Sequence, residues 1–187
     1  FGYSASQSLL MQMPQGAVEI AGCVLLAYLA RYLSSRLLMG IIATAITVMA
    51  ECLLAFSKSK SGRLAGFYLY LLGPLGFICV LSCVSSNVAG HTKKVTVNAM
   101  YLIAYCVGNL VGPQTFISTQ APSYTGAKIA IVVCGCISLV TLVGIYFSYR
   151  IENNRRSSKP EVDMSHIENY EFADLTDKEN PNFKYSI

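Results

Sequence analysis

Five apolar runs, each near the length of a bilayer-spanning helix, follow one another with only short polar loops between them. A helix needs about 20 predominantly apolar residues to cross the hydrocarbon core. The runs at residues 17–33, 37–56, 64–84, 95–116 and 127–149 meet that length, the first only with its interfacial ends included. Inside a bilayer every backbone N–H and C=O must be paired within the protein, so each run is predicted to be helical. Residues 1–16 read as the exit of an earlier, truncated span and a short loop, with Pro14 and Gly16 supplying a break. The expectation is an all-α integral membrane protein: about five complete transmembrane helices in residues 17–149, the end of a truncated one before them, and a soluble tail over 150–187. A start at Phe1 rather than Met leads us to expect a missing upstream part. With 53% hydrophobic and only 13% charged residues, the composition excludes an ordinary soluble domain and a disordered chain alike.

Polar groups inside the apolar runs narrow the reading further. Asn98, Tyr105 and Asn109 are spaced by 7 and 4 residues, which at about 100° per residue places Tyr105 and Asn109 within about 20° of Asn98 on one helical face. Tyr101 and Gly112 flank that face. A polar stripe on a membrane helix is expected to meet an aqueous cavity or other helices rather than lipid. As a substrate path, Asn98, Tyr101, Tyr105 and Asn109 would supply hydrogen bonds and aromatic contact to a polar solute. The other use of the same amides is hydrogen bonding between helices. Gly108 and Gly112 have GxxxG spacing, which suits close helix packing. In the third run Gly73, Pro74 and Gly76 predict a kink. Thr44, Thr47 and Glu51 share a face of the second run.

Glu19 and Glu51 are candidate proton carriers, since a carboxyl group within a membrane domain can load and release a proton. Both also lie near span ends, where interfacial carboxylates are ordinary. The residues show no nucleophile with a base, no metal cluster, no phosphate loop and no cofactor motif, so we expect no enzyme, no metal and no cofactor. All seven Cys fall inside apolar runs without C-x-x-C spacing and read as small packing residues. A net charge of +4 could point to nucleic acid, but the basic residues sit at span ends, so nucleic acid is not an expected partner and the lipid bilayer is. Arg31, Arg36, Lys93, Lys94, Arg150, Arg155 and Arg156 fall on one side; Lys58, Lys60, Arg63 and Lys128 fall on the other. Cytoplasmic loops hold the excess of Lys and Arg, so the C-terminal tail is expected in the cytoplasm. That tail turns from basic (Arg155, Arg156, Lys159) to acidic (Glu161, Asp163, Glu168, Glu171, Asp174, Asp177, Glu179). Thr176 to Glu179 has capping-box spacing, and Phe172, Phe183 and Tyr185 are candidate anchors to the membrane domain.

Three stretches carry a family resemblance. SSNVAGHTKKVTVNAMYLIAYCVGNLVGPQTF, residues 85–116, resembles the segment joining spans ten and eleven of fungal allantoate permease-like transporters, in the anion:cation symporter family of the major facilitator superfamily. LLMQMPQGAVEI resembles that family's entry into span eight, and FADLTDKENPNFKYSI its acidic, aromatic-ending C-terminus. The resemblance implies the C-terminal half of a twelve-helix fold, whose partner would be a missing N-terminal six-helix half. It further implies proton-coupled symport of a small organic anion such as allantoate, nicotinate or pantothenate, at the plasma membrane. The family's G-x-L-A-D-R-like loop after span eight corresponds here to AYLARYLSSR, with Ala27 and Ala30 in place of the glycine and the aspartate. Arg31 and Arg36 remain as its gating residues. The rival expectations are a non-transporting truncated remnant and a membrane scaffold acting through its acidic tail.

Overall fold

A computed structural model describes residues 4–33, 35–160 and 174–187 of the chain. It contains six α-helices among the described residues: α1 (Ala5–Leu33), α2 (Arg36–Phe56), α3 (Lys60–Leu69), α4 (Gly73–Asn87), α5 (His91–Gln114) and α6 (Thr125–Ser157). A 3-10 turn, Tyr70–Leu72, joins α3 to α4, so Lys60–Asn87 forms one span. Among the described residues, five stretches are long and apolar enough to cross a membrane, in the order expected.

Two boundaries differ from the sequence expectation. The break expected at Pro14 and Gly16 is absent, because α1 runs unbroken from Ala5 to Leu33 and takes residues 5–16 into the first span. Proline forfeits one helical hydrogen bond, here the one to the Leu10 carbonyl, a loss that membrane helices tolerate when neighbours supply compensating contacts. One turn before the proline, the Tyr68 hydroxyl of α3 donates to the Met11 carbonyl at 3.2 Å, and Gln15 Nε2 donates to the Phe67 carbonyl at 3.4 Å. At the other end α6 continues past residue 149 to Ser157, its last turn carrying Arg155 and Arg156. Where a kink is expected, around Gly73–Pro74, the helix changes type: the 3-10 turn over Tyr70–Leu72 precedes α4, in which Pro74 serves as an early helical residue.

Helix α2 is the hub, packed on α3, α4 and α6. Its buried residues are small or slender: Gly40, Ala43, Thr47 and Ala50, with Leu37 and Met39 toward one end. Lipid offers apolar groups no reason to leave it, so close backbone approach holds such helices together. A Cβ at Gly76 of α4 would lie 2.8 Å from Thr44 Oγ1, and one at Gly66 of α3 would lie 2.7 Å from the Ala50 carbonyl. Both threonines satisfy their hydroxyls on their own helix, Thr44 on the Gly40 carbonyl and Thr47 on the Ala43 carbonyl. Leu26 of α1 joins Met39 and Ala43 in a small core, with Leu75 and Cys79 against it.

Residues 174–187 fold back onto one end of the bundle. Tyr185 stacks on Tyr149 of α6, ring centroids 4.7 Å apart and planes within 7°, and exchanges two hydrogen bonds with Asn153 at 2.8 and 2.9 Å. Ser186 does the same with the buried Asn87 at the end of α4, and the first amide of α2, from Arg36, donates to the Ile187 carbonyl. The capping-box reading of Thr176 and Glu179 holds as a reciprocal turn: the Thr176 amide donates to Glu179 Oε2 and the Glu179 amide to Thr176 Oγ1. Tyr185 and Phe183 are anchored as expected, in edge contact with each other, whereas Phe172 lies outside the described residues.

Burial pushes the Asp177 carboxyl up, but hydrogen bonds from the Lys93 ammonium and the Tyr185 hydroxyl outweigh it and hold the group below its usual range. A depressed carboxyl stabilises the docked tail above the unfolded value of about 4, and that contribution disappears as pH falls through the lower, folded value. Burial and the Asp177 hydrogen bond push Tyr185 up to about 12, so its contribution is present below about 10 and lost as pH rises through about 12. The tail should therefore stay docked from about pH 8 to about pH 5 and, on the acid side, loosen only below about 4. Amide exchange at Tyr185 and Ser186, corrected for intrinsic rates, measures this; release between pH 7 and pH 5 would contradict it.

Candidate functional site

The polar stripe lies on α5, the one long helix in which no described residue is buried. Tyr101 and Tyr105 set their rings beside Phe77 of α4, centroids 5.6 and 5.8 Å away. Asn98 and Asn109 stay exposed, and Tyr105 keeps half its surface open. Asn109 Nδ2 donates to the Tyr105 carbonyl one turn back at 2.9 Å, a local bond that quiets the amide where no ligand is present. The Tyr101 hydroxyl is buried without a hydrogen-bond partner. All four residues thus share one side of α5, with Phe77 closing its edge. A Cβ at Gly108 or Gly112 would meet nothing within 4 Å, so no helix among the described residues uses the GxxxG spacing.

Glu51 sits within α2, facing α6. Its Oε2 atom is buried without a hydrogen-bond partner, and Gly135 of α6 makes the space for it: a Cβ there would lie 2.3 Å from that oxygen. The side chain also borders a cavity of about 330 Å³ whose walls include Tyr70, Phe116, Tyr124 and Lys128. Glu19 is half-buried on α1. Arg36 opens α2 and reaches across to α4, its Nη1 donating to Ser82 Oγ at 3.2 Å and Ser86 Oγ at 3.5 Å. Arg31 is exposed in the last turn of α1, and the side chain of Ala30 lies outside the described residues. No hydrogen bond or ring contact among the described residues joins Glu19, Glu51, Arg31 or Arg36 to the α5 stripe. No group of three His, Cys, Asp or Glu that could hold a metal occurs among the described residues.

Sequence reading missed Asn87 and Asn153, which bind the tail's backbone. Each is an amide near a span end, and the only signal was that a polar amide in such a place needs a partner. Allantoate permease of Saccharomyces cerevisiae is 45% identical over 199 residues, a match covering 100% of this chain and 36% of the permease. Uncharacterized transporter C1773.15 of Schizosaccharomyces pombe is 44% identical over 186 residues, covering 100% of this chain and 37% of its own. The chain belongs to the fungal allantoate permease-like transporter family.

A more distant relative of the permease-like chain, MFS-type transporter cnsL of Penicillium expansum, is 31% identical over 189 residues, 99% of this chain and 39% of that protein. The chain spans little more than a third of the length of these curated relatives and corresponds to their C-terminal portion. No protein-family model matches it, and no solved structure does. The five spans are thus the C-terminal part of a major facilitator superfamily fold.

Proposed function

We propose that this chain is the C-terminal portion of a proton-coupled transporter of small organic anions, allantoate-like carboxylates among them. The observation that carries the proposal is α5: a membrane helix with Asn98, Tyr105 and Asn109 on one side and no buried residue needs a polar partner beyond this chain. In transporters built from two halves, substrate binds near the midplane between them, and one half rocks against the other. The missing N-terminal six-helix half would close the α5 stripe into a site. Asn98 and Asn109 amides and the Tyr105 hydroxyl would then donate to the anion's oxygens, with the Tyr101 ring flanking them.

Glu51 is the stronger of the two proton candidates, because it has a buried oxygen without a fixed partner and a glycine opposite that leaves it room. Arg31 and Arg36 would serve gating at the end of the bundle where the tail docks, and that end would face the cytoplasm of a plasma-membrane protein. The scaffold alternative needs the tail's aromatic residues free for a partner, and Tyr185 is instead stacked on Tyr149 of α6 with Phe183 against its edge.

Asn109→Leu in the full-length protein tests the stripe. Losing one substrate hydrogen bond, worth about 0.5–1.5 kcal/mol, should reduce uptake about two- to tenfold while surface level holds. Equal losses of uptake and surface level would assign Asn109 to helix packing.

A further inference from the structure

Among the described residues, the polar contacts of helix α5 with distant parts of the chain lie at its start. Along its body the ring contacts recorded to the other helices come from Phe77, and no residue is buried. At its start the tail takes hold three times. Asp174 Oδ1 accepts from the His91 amide, the first of α5, at 2.5 Å. The Lys93 ammonium pairs with Asp177 Oδ1. Thr176 packs on Gly90, where the backbone has φ of 89° and an added Cβ would lie 2.9 Å from Thr176 Cγ2. Glycine is required there on both counts, for the left-handed conformation and for the approach of the tail.

The other oxygen of Asp177 connects this grip to firm ground. Oδ2 accepts from the Tyr185 hydroxyl at 2.9 Å, and Tyr185 is the residue stacked on Tyr149 and double-bonded by hydrogen bonds to Asn153. Arg156 of α6 adds donations to the carbonyls of Asn180 and Phe183 at 3.2 and 3.0 Å. Asp177 is 4% exposed, although it belongs to a tail of polar composition. A carboxylate buried with one partner on each oxygen acts as a joint: removing Lys93 leaves an uncompensated charge, and removing the Tyr185 hydroxyl leaves an unsatisfied oxygen.

We infer that the C-terminal tail is a positioning strap: through Asp177, Asp174 and Thr176 it fixes the start of α5 relative to α6 and so sets the placement of the α5 polar stripe. Its effect on transport rests on the reading of α5 as part of the substrate path; its effect on α5 itself does not. Lys93, Gly90 and Asp177 are positioning residues and touch no substrate.

The test uses the full-length transporter in lipid nanodiscs for hydrogen exchange, and in cells for uptake of labelled allantoate. Lys93→Asp and Asp177→Lys each break the joint, the double exchange restores a pair of reversed polarity, and Gly90→Ala displaces Thr176 with every charge kept. Each single variant should raise amide exchange in residues 91–97 about tenfold, and raise KM for uptake several-fold with the maximal rate per surface molecule held within about twofold. The double exchange should return both toward wild type. Unchanged exchange in residues 91–97 overturns the strap, as does failure of the double exchange to restore it. Raised exchange with KM unmoved overturns the positioning role in transport. If the wild-type protein takes up no labelled anion, the exchange experiment still decides the strap, and the transport reading alone fails.

Discussion

Gly66→Val is expected to prevent the folded protein from accumulating. Gly66 is buried where α3 crosses α2, and the atoms nearest an added Cβ are backbone: the Ala50 carbonyl at 2.7 Å and the Leu54 amide nitrogen at 2.8 Å. Flexible side chains can turn aside, but helix backbone cannot move without separating the two helices. Overpacking costs about 1–3 kcal/mol where side chains can yield, and the cost here exceeds that because the whole crossing must open. Helix α2 also carries α4 and α6, so the opening reaches the hub of the bundle. Surface level and detergent-extracted thermal stability should both collapse. Gly108→Val, with nothing within 4 Å of the new Cβ in this chain, serves as the control and should leave this bundle's stability nearly unchanged. Normal accumulation of Gly66→Val would contradict the packing described for α2 and α3.

Glu51→Gln is expected to have the largest effect on function without loss of protein. The amide keeps the shape beside Gly135 and the cavity wall, so packing is preserved, while the capacity to take up and release a proton is gone. If Glu51 carries the coupling proton, proton-driven uptake should fall about tenfold or more, with surface level unchanged. Counterflow exchange of labelled for unlabelled anion, which needs no net proton movement, should survive better. Gly135→Ala supplies the independent check. A methyl group 2.3 Å from the carboxyl oxygen must displace Glu51 and should impair the same step while leaving its charge chemistry intact. Undiminished proton-driven uptake by Glu51→Gln would remove Glu51 from the mechanism.

The spans were legible because bilayer thickness imposes a length and hydrocarbon imposes a composition. Both are properties of a local window, and the stretch from Arg36 to Phe56 displays them without reference to any other part of the chain. The change of helix type before Pro74 was legible for the same local reason. Pro14 was not. Whether a proline ends a helix or rides within it depends on what stands beside it, and Tyr68 and Gln15 provide that through contacts 57 and 52 residues apart in sequence.

The stripe of α5 was readable from helical periodicity, since Asn98, Tyr105 and Asn109 share a face on any regular helix. Its cover by Phe77 on one side was invisible, because two apolar helices give no signal of which aromatic ring lies opposite which. The tail showed a similar division. Thr176 and Glu179 are three residues apart, and their turn could be read directly. The pairing of Asn87 with Ser186 spans 99 residues and depends on where four helix ends arrive together. Burial of Asp177 ran against its surroundings in sequence, a polar and acidic segment, and only the arrival of Lys93 and Tyr185 explains it.

The function proposed for these five helices is that of part of a proton-coupled carrier of organic anions. The most direct measurement is uptake of labelled allantoate and related carboxylates by cells expressing the full-length protein, at acidic and neutral external pH, with and without a protonophore. A proton-coupled carrier should show saturable uptake of at least one of these anions, faster at acidic pH and abolished by the protonophore. No uptake of any of them with the protein at the cell surface, or uptake indifferent to both pH and protonophore, would contradict it.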